Sequence, residues 1–424
     1  MQRSSLLILV CFLLLVTGCI KKGLAPLSDA AYKATGPDLS NTDTARLPSG
    51  LPSRLAFGTE GDISVSDKYI PQCDYQYQYL AGDIFSNGWA TWNSPNGQFA
   101  RNFLDQIGKM GKMPVFTYYN IVPAKHRYEE PATTNLNDVE VMNHYFDDWK
   151  LLLQICKNYG KTVIIHYEPD LFGYLQMYRN DATRNTVKVG ASKQADVLSF
   201  SNDAKGLAQA IVSMRNKYAP NVILAWHASQ WSTGMDVIKG KHDPEKAAAE
   251  TAAWYHSLNA KFDMIFSEFA DRDAGYDMLV RNKADALWSV KAEEANHNLS
   301  DFDRFQRFLK KLNQITGQKI ILWQIPIGNS ITNTCNNTPG HYKDNRAEYF
   351  LQPVMNDTNT ANLSAYQKAG VIAFLFGRGE SSCTSYYDLK GNGSTASNET
   401  ADDDGGFLRK GIKAYYQNGA LPLN

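Results

Sequence analysis

The sequence predicts a single (β/α)8 TIM barrel with extended βα loops, on three observations. Short apolar, β-branched runs of strand length alternate with longer amphipathic runs of helical period. Eight strand runs can be counted, and no neighbouring pair is joined by a tight hairpin turn, so parallel strands with helical crossovers are expected. Most of the runs end in a polar or charged side chain, the pattern of barrel strands that deliver groups to one mouth. The alternative, an open doubly wound sheet, calls for a glycine-rich phosphate loop after the first strand. None follows here.

The first strand is expected from Arg54 to Gly58, leaving through Thr59-Glu60-Gly61-Asp62. The second runs from Tyr75 to Ala81 and is followed by an aromatic loop holding Trp89 and Trp92, then a helix from Gln98 to Met110. The third, Met113 to Asn120, exits through Tyr118-Tyr119-Asn120, and a helix over Val139 to Tyr159 leads to the fourth. That strand reads Thr162-Val163-Ile164-Ile165-His166-Tyr167-Glu168-Pro169-Asp170. Strand alternation would point His166, Glu168 and Asp170 the same way, and Pro169 would keep Glu168 extended. An extended insertion follows Asp170, then a helix from Asp203 to Tyr218. Strand five is Val222 to His227, with a helix from Glu245 to Leu258 after it. Strand six is Phe262 to Glu268, leaving through Phe269-Ala270-Asp271-Arg272-Asp273. Asp277 to Gln314 reads as two helices broken near Asn296 to Ser300. Strand seven is Lys319 to Ile325, and a helix starts near Asp344, where Asp344 would cap it. Strand eight is Gly370 to Phe376, a polar loop follows, and a helix from Phe407 to Gln417 closes the ring.

The 424 residues carry 43 Lys and Arg against 43 Asp and Glu, so no basic field invites nucleic acid. A monomer is expected. Residues 1–18 read as a signal peptide, with Arg3 before the apolar run Leu6 to Val16, too short to span a bilayer comfortably. The run ends in Val16-Thr17-Gly18-Cys19, which resembles the lipobox of bacterial lipoproteins. That resemblance implies cleavage before Cys19, lipid on its thiol, and a chain anchored to a membrane of the bacterial cell envelope, at the outer membrane or cell surface. Residues 19–50 are expected to be a flexible tether and 51–424 the barrel. Export favours disulfides, and Cys335 and Cys383, in loops after adjacent strands, are expected to pair. Cys156 lies on a helical face and reads as a buried thiol.

In a closed barrel the strand ends converge. Glu60, Asn120, His166, Glu168, Asp170, His227, Glu268, Gln324 and Arg378 would then meet at one mouth. Cleaving a glycosidic bond requires two carboxyl groups flanking it, one protonated and one ionised. Glu168 or Asp170 with Glu268 is the expected catalytic pair, with Glu60, Asp62, Asp271 and Asp273 competing for the base. Trp89, Trp92, Tyr119, Tyr167, Trp231 and Trp323 are candidate sugar platforms, although the parity of Trp226 and Trp323 turns them toward the helices. His341 is placed to reach the mouth, and Glu60 and Asp271 would join the substrate contacts.

Ile165-His166-Tyr167-Glu168-Pro169-Asp170-Leu171 resembles the Glu-Pro-Asp strand end of the family 6 cellulases, and Tyr119-Asn120-Ile121-Val122-Pro123 is weakly similar to a segment after their preceding strand. The resemblance implies an inverting mechanism with Asp170 as proton donor. Ala124-Lys125-His126-Arg127 departs from that family's continuation, and no counterpart of its later motifs is present. Strand seven ends in Gln324, not the Glu that other barrel clans place there.

The expectation is therefore a hydrolase of glycosidic bonds in a polysaccharide or oligosaccharide, without a cofactor. Two alternatives stand beside it. One is a non-catalytic carbohydrate-binding lipoprotein. The other is a metal-dependent hydrolase using His166, His227 and His341, which lacks any His-x-His or His-Glu-x-x-His spacing to support it. The acidic loop from Asp388 to Gly406 matches no EF-hand and reads as a solvated loop, with calcium as the lesser possibility.

Overall fold

The computed structural model describes residues 36–41, 43–61, 72–125, 131–269, 272–294, 298–393 and 401–423. Among them eight parallel strands close in sequential order into a barrel, β1 pairing with both β2 and β8. The strands are β1 (Ala56–Glu60), β2 (Tyr75–Ala81), β3 (Met113–Tyr119), β4 (Val163–Tyr167), β5 (Val222–His227), β6 (Met264–Glu268), β7 (Ile320–Ile325) and β8 (Val371–Phe376). The helices are α1 (Gln98–Lys109), α2 (Pro131–Asn137), α3 (Val139–Tyr159), α4 (Leu171–Tyr178), α5 (Ala204–Tyr218), α6 (Pro244–Ser257), α7 (Ala274–Leu279), α8 (Asp301–Thr316), α9 (Arg346–Asp357), α10 (Ala361–Lys368) and α11 (Phe407–Gln417).

Each strand sorts its side chains between two cores. Ala56, Tyr75, Tyr77, Val115, Ile164 and Phe266 fill the barrel interior. Their neighbours Phe57, Phe116, Ile165 and Ile265 pack outward under the helices. Both faces are apolar because both are covered. The interior is full: a Cβ on Gly58 would come within 2.5 Å of Leu375 and 2.7 Å of Tyr75. Side-chain caps set several helix starts. Asp138 accepts from two N–H groups of α3, and Ser300 accepts from Asp303 N at α8. Left-handed Gly160 and Gly317 end the same two helices.

Several sequence expectations are corrected. The insertion after Asp170 begins as helix α4. Asp277 to Gln314 is not two long helices: α7 stops at Leu279 and α8 starts at Asp301. The tether does not reach Gly50. Gly36 O accepts from Arg307, Asp38 pairs with Lys310 at 2.8 Å, and Asp43 pairs with Lys319, so the segment is fastened along α8. Cys335 and Cys383 are not joined by a disulfide. They occupy separate environments: Cys335 accepts from Asn329 Nδ2 at 3.5 Å, while Cys383 packs with Tyr276 and Tyr342. Cys156 is buried, as expected. Cys19, Asp62 and Asp271 lie outside the described residues. Among those that are described, no helix is long and apolar enough to cross a membrane.

Candidate active site

The C-terminal ends of all eight strands form one rim, and a buried polar chain rises to it through the barrel interior. Thr117 on β3 lies 3.4 Å from His166 Nδ1 on β4. His166 Nε2 lies 2.9 Å from His227 Nδ1 on β5, and His227 Nε2 lies 2.6 Å from Glu268 Oε2 on β6. Thr117, His166 and His227 are buried, and Glu268 is 9% exposed. Parity brings them together: Thr117, His166 and His227 fall two residues beyond the interior positions Val115, Ile164 and Ala225, and Glu268 two beyond Phe266.

The partners assign the tautomers. With Glu268 ionised, His227 Nε2–H donates to it, His227 Nδ1 accepts from His166 Nε2–H, and His166 Nδ1 accepts from the Thr117 hydroxyl. With Glu268 protonated, the same atoms run in reverse. Burial and the neighbouring His227 push His166 well below its ordinary pKa, which keeps its ring neutral. The other Glu268 oxygen, Oε1, is buried without a hydrogen-bond partner. Buried polar atoms are rarely left so, and here the unpaired atom belongs to a carboxylate whose sibling oxygen is fixed in place.

Trp323 packs in the barrel interior beside this chain. Its ring lies 4.8 Å from His166, 5.9 Å from His227, 5.8 Å from Tyr79 and 6.3 Å from Tyr77. The expectation that it faces the helices is wrong, while Trp226 does face them, stacked on Tyr255 at 4.2 Å. Gln324 also reaches inward, donating to Tyr79 OH at 2.8 Å. Consecutive residues manage this because the β7–β8 register shifts between Leu322 and Ile325 and Gln324 has φ 54°. Near the ends of β1, β2 and β8, a pocket of about 180 Å³ is lined by Glu60, Gln78, Phe99, Arg378, Tyr386 and Tyr387 among others.

Glu168 is not at this mouth. Its φ is 40°, so the backbone leaves the extended geometry that Pro169 was expected to impose, and strand parity ends there. The carboxylate turns outward under α3. It accepts from Asn120 N at 3.1 Å, Ile121 N at 3.1 Å and Tyr145 OH at 2.9 Å. Burial raises its pKa to about 8. Asp148 of α3 lies in the same layer, bonded by Trp89 Nε1 and Tyr118 OH, each at 2.8 Å, and burial raises it to about 7. Trp89 and Tyr167 are thus core residues, not sugar platforms. Asn120 is buried, its Nδ2 tied to Leu80 O at 3.1 Å. Asp170 stays on the rim: it is partly exposed, with φ 70°, at the start of α4, and its side chain does not cap that helix. Tyr119 is partly exposed at the end of β3. Trp92 packs edge-on against Phe99 at 4.8 Å, behind the pocket.

Two more expectations fail. His341 is buried, with Nδ1 3.1 Å from Asp403 O and Nε2 3.2 Å from Asn392 Nδ2, so it pins the last loop and does not face the mouth. That loop is not simply solvated, because Asp402, Asp403 and Asp404 are buried and Asp404 accepts from Gly406 N and Leu408 N at the start of α11. Asp273 is equally buried, accepting from Gly328 N at 2.9 Å and Thr384 N at 2.8 Å. Burial, then the charge of Asp344, raises it to about 7. Among the described residues, no group of three or more His, Cys, Asp or Glu is arranged to hold a metal ion. Sequence reasoning missed Thr117, Tyr79, Gln78, Tyr386 and Tyr387. The alternation Tyr75-Gln76-Tyr77-Gln78-Tyr79 was the available signal for the tyrosine face.

No family model matches the chain, and no curated protein does. Among solved structures the chain is similar to the family 53 glycoside hydrolase catalytic domain of Ignisphaera aggregans, at TM-score 0.46 and 10% identity over 88% of this chain and 98% of that one. It is also similar to the modular family 26 endo-β-1,4-mannanase of Cellulomonas fimi, at TM-score 0.43 and 10% identity over 80% and 68%. A third is a mutant of cellobiohydrolase Cel6A from Humicola insolens, at TM-score 0.36 and 12% identity over 75% and 83%.

Proposed function

We propose that the protein hydrolyses glycosidic bonds in a polysaccharide or oligosaccharide, with Glu268 as the base or nucleophile and Asp170 as the proton donor. The observation that carries this reading is the Thr117–His166–His227–Glu268 chain, which leaves one Glu268 oxygen unpaired at the C-terminal rim. His227 fixes the rotamer of Glu268 and offers a proton to the oxygen not used in catalysis. Glu268 Oε1 can take up and return a proton while His227 Nε2–H stays bonded to Oε2, so the charge of the buried rings does not change. Asp170 lies in the turn after β4, two strands round the ring from β6, on the side of the barrel where Glu268 ends its strand. A glycosidic bond held between them would have an acid on one side and a base on the other. The half-buried rings of Trp231 and Tyr174, 4.8 Å apart beside β4 and β5, offer a platform for a neighbouring sugar face.

The withdrawal of Glu168 favours one second reading, because it removes a carboxylate from the mouth. On that reading the rim binds saccharide without cleaving it. A reducing-sugar assay over a panel of polysaccharides separates the two. Hydrolysis of at least one member is expected; retention of a member with no release over prolonged incubation would favour the binding protein. We further propose that lipid on Cys19 anchors the protein in the cell envelope, which metabolic labelling with a fatty-acid analogue and a Cys19→Ser control would test.

A further inference from the structure

We propose that the pocket at the ends of β1, β2 and β8 is an anion subsite, shaped for a carboxylate or sulfate group carried on a saccharide. It rests on the saccharide reading above and names the class of sugar. Arg378, just past β8, supplies the charge. Its guanidinium has no hydrogen bond or ion pair with any described residue, and its Nη1 is buried without a partner. Two structural arginines, by contrast, are held by carboxylates: Arg346 is bonded to Asp344, and Arg215 to Asp263. A buried guanidinium nitrogen that lines a pocket of about 180 Å³ and has no acceptor among the described residues is a recognition group awaiting one.

The surroundings fit an acidic sugar better than a bare anion. The hydroxyl of Tyr77 is buried without a partner, and it lies against the backbone beside Arg378, since a Cβ on Gly377 would fall 1.7 Å from it. Burial, then the charge of Glu60, pushes the Tyr77 hydroxyl well above its ordinary pKa, so it remains a donor. Glu60 and Gln78 line the same pocket and accept hydroxyl protons. Phe99, Tyr386 and Tyr387 supply apolar surface, with Tyr386 fixed by its bond to Glu60 O at 2.9 Å. A sugar ring would present its acidic group to Arg378 and its hydroxyls to Gln78 and the other polar groups of the lining.

Binding of the full chain to an array of neutral, uronate-bearing and sulfate-bearing oligosaccharides tests this, beside Arg378→Gln and Arg378→Lys variants. The expected result is an affinity for acidic members at least about tenfold above neutral analogues, weakening with added salt. Arg378→Gln should remove about 10- to 100-fold of it, while Arg378→Lys should keep part. The array shows whether the uronate or the sulfate arm responds. Equal binding of acidic sugars by wild type and Arg378→Gln would overturn the subsite, as would binding confined to neutral sugars, which leaves the saccharide reading standing. Binding to no saccharide, by protein with a native circular-dichroism spectrum, would overturn both.

Discussion

Replacing Glu168 by Gln should stabilise the barrel at alkaline pH. The Glu168 carboxyl is fully buried, and burial raises its pKa from 4.5 to about 8. Below pH 4.5 folded and unfolded chains both carry the proton, and the group adds no pH dependence. Between 4.5 and about 8 only the folded chain keeps it, so unfolding releases a proton and stability falls as pH rises. Above about 8 both states are ionised and the full cost of the buried charge is present. The interval, at about 1.4 kcal/mol per pH unit, corresponds to roughly 5 kcal/mol. The substituted glutamine has the same shape and can still accept from Asn120 N, Ile121 N and Tyr145 OH, but it never ionises. Urea unfolding from pH 5 to 9 reads the difference. The wild type should lose stability steadily over that range, and Glu168→Gln should lose less, the remaining slope coming from Asp148 and the other buried acids. Parallel curves for the two proteins, or a variant weakened equally at every pH, would refute the reasoning.

His227→Ala should lower kcat by about 10²-fold or more with little change in KM, because it frees Glu268 Oε2 without touching the sugar platforms; steady-state kinetics on any substrate found will show it. Asp273→Ala leaves the N–H groups of Gly328 and Thr384 buried and unpaired, and at about 1–3 kcal/mol each should destabilise the protein by roughly 2–6 kcal/mol in denaturant titrations. Cys73, Cys156, Cys335 and Cys383 should react with a thiol reagent only after unfolding, and reductant should not shift the melting temperature.

The barrel was legible because its strands are apolar on both faces and its helices are amphipathic, and both patterns are local. The His166, His227 and Glu268 positions were legible for the same reason, since alternation from the apolar runs carries straight to them. What the sequence hid is where alternation stops. Glu168 and Gln324 adopt left-handed backbone at strand ends, at φ 40° and 54°. One turn takes a carboxylate out of the mouth, and the other admits two neighbouring residues to it. Nothing local in Tyr167-Glu168-Pro169 announces the turn, because its stabilising partners come from Asn120, Ile121 and Tyr145, about 23 to 48 residues away. A hint did exist in α3, where Asp148 falls on the buried stripe with Tyr145, Trp149 and Leu152. A carboxylate on an apolar helix face needs partners, and its partners are Trp89 and Tyr118 of the β2–β4 region. The Cys335–Cys383 expectation failed because neighbouring loops do not imply facing thiols.

Glu168, as an alternative to Asp170, and Glu268, as its partner, were both candidate catalytic carboxylates in the sequence, and the structure separates them: Glu268 ends β6 inside the rim, and Glu168 is sealed beneath a helix. Hydrolysis rates of Glu268→Gln and Glu168→Gln on the same saccharide compare them directly. Turnover should fall by about 10³-fold or more in the first, with saccharide binding retained, and stay near wild type in the second. An active Glu268→Gln protein, or a folded but inactive Glu168→Gln protein, would contradict the assignment.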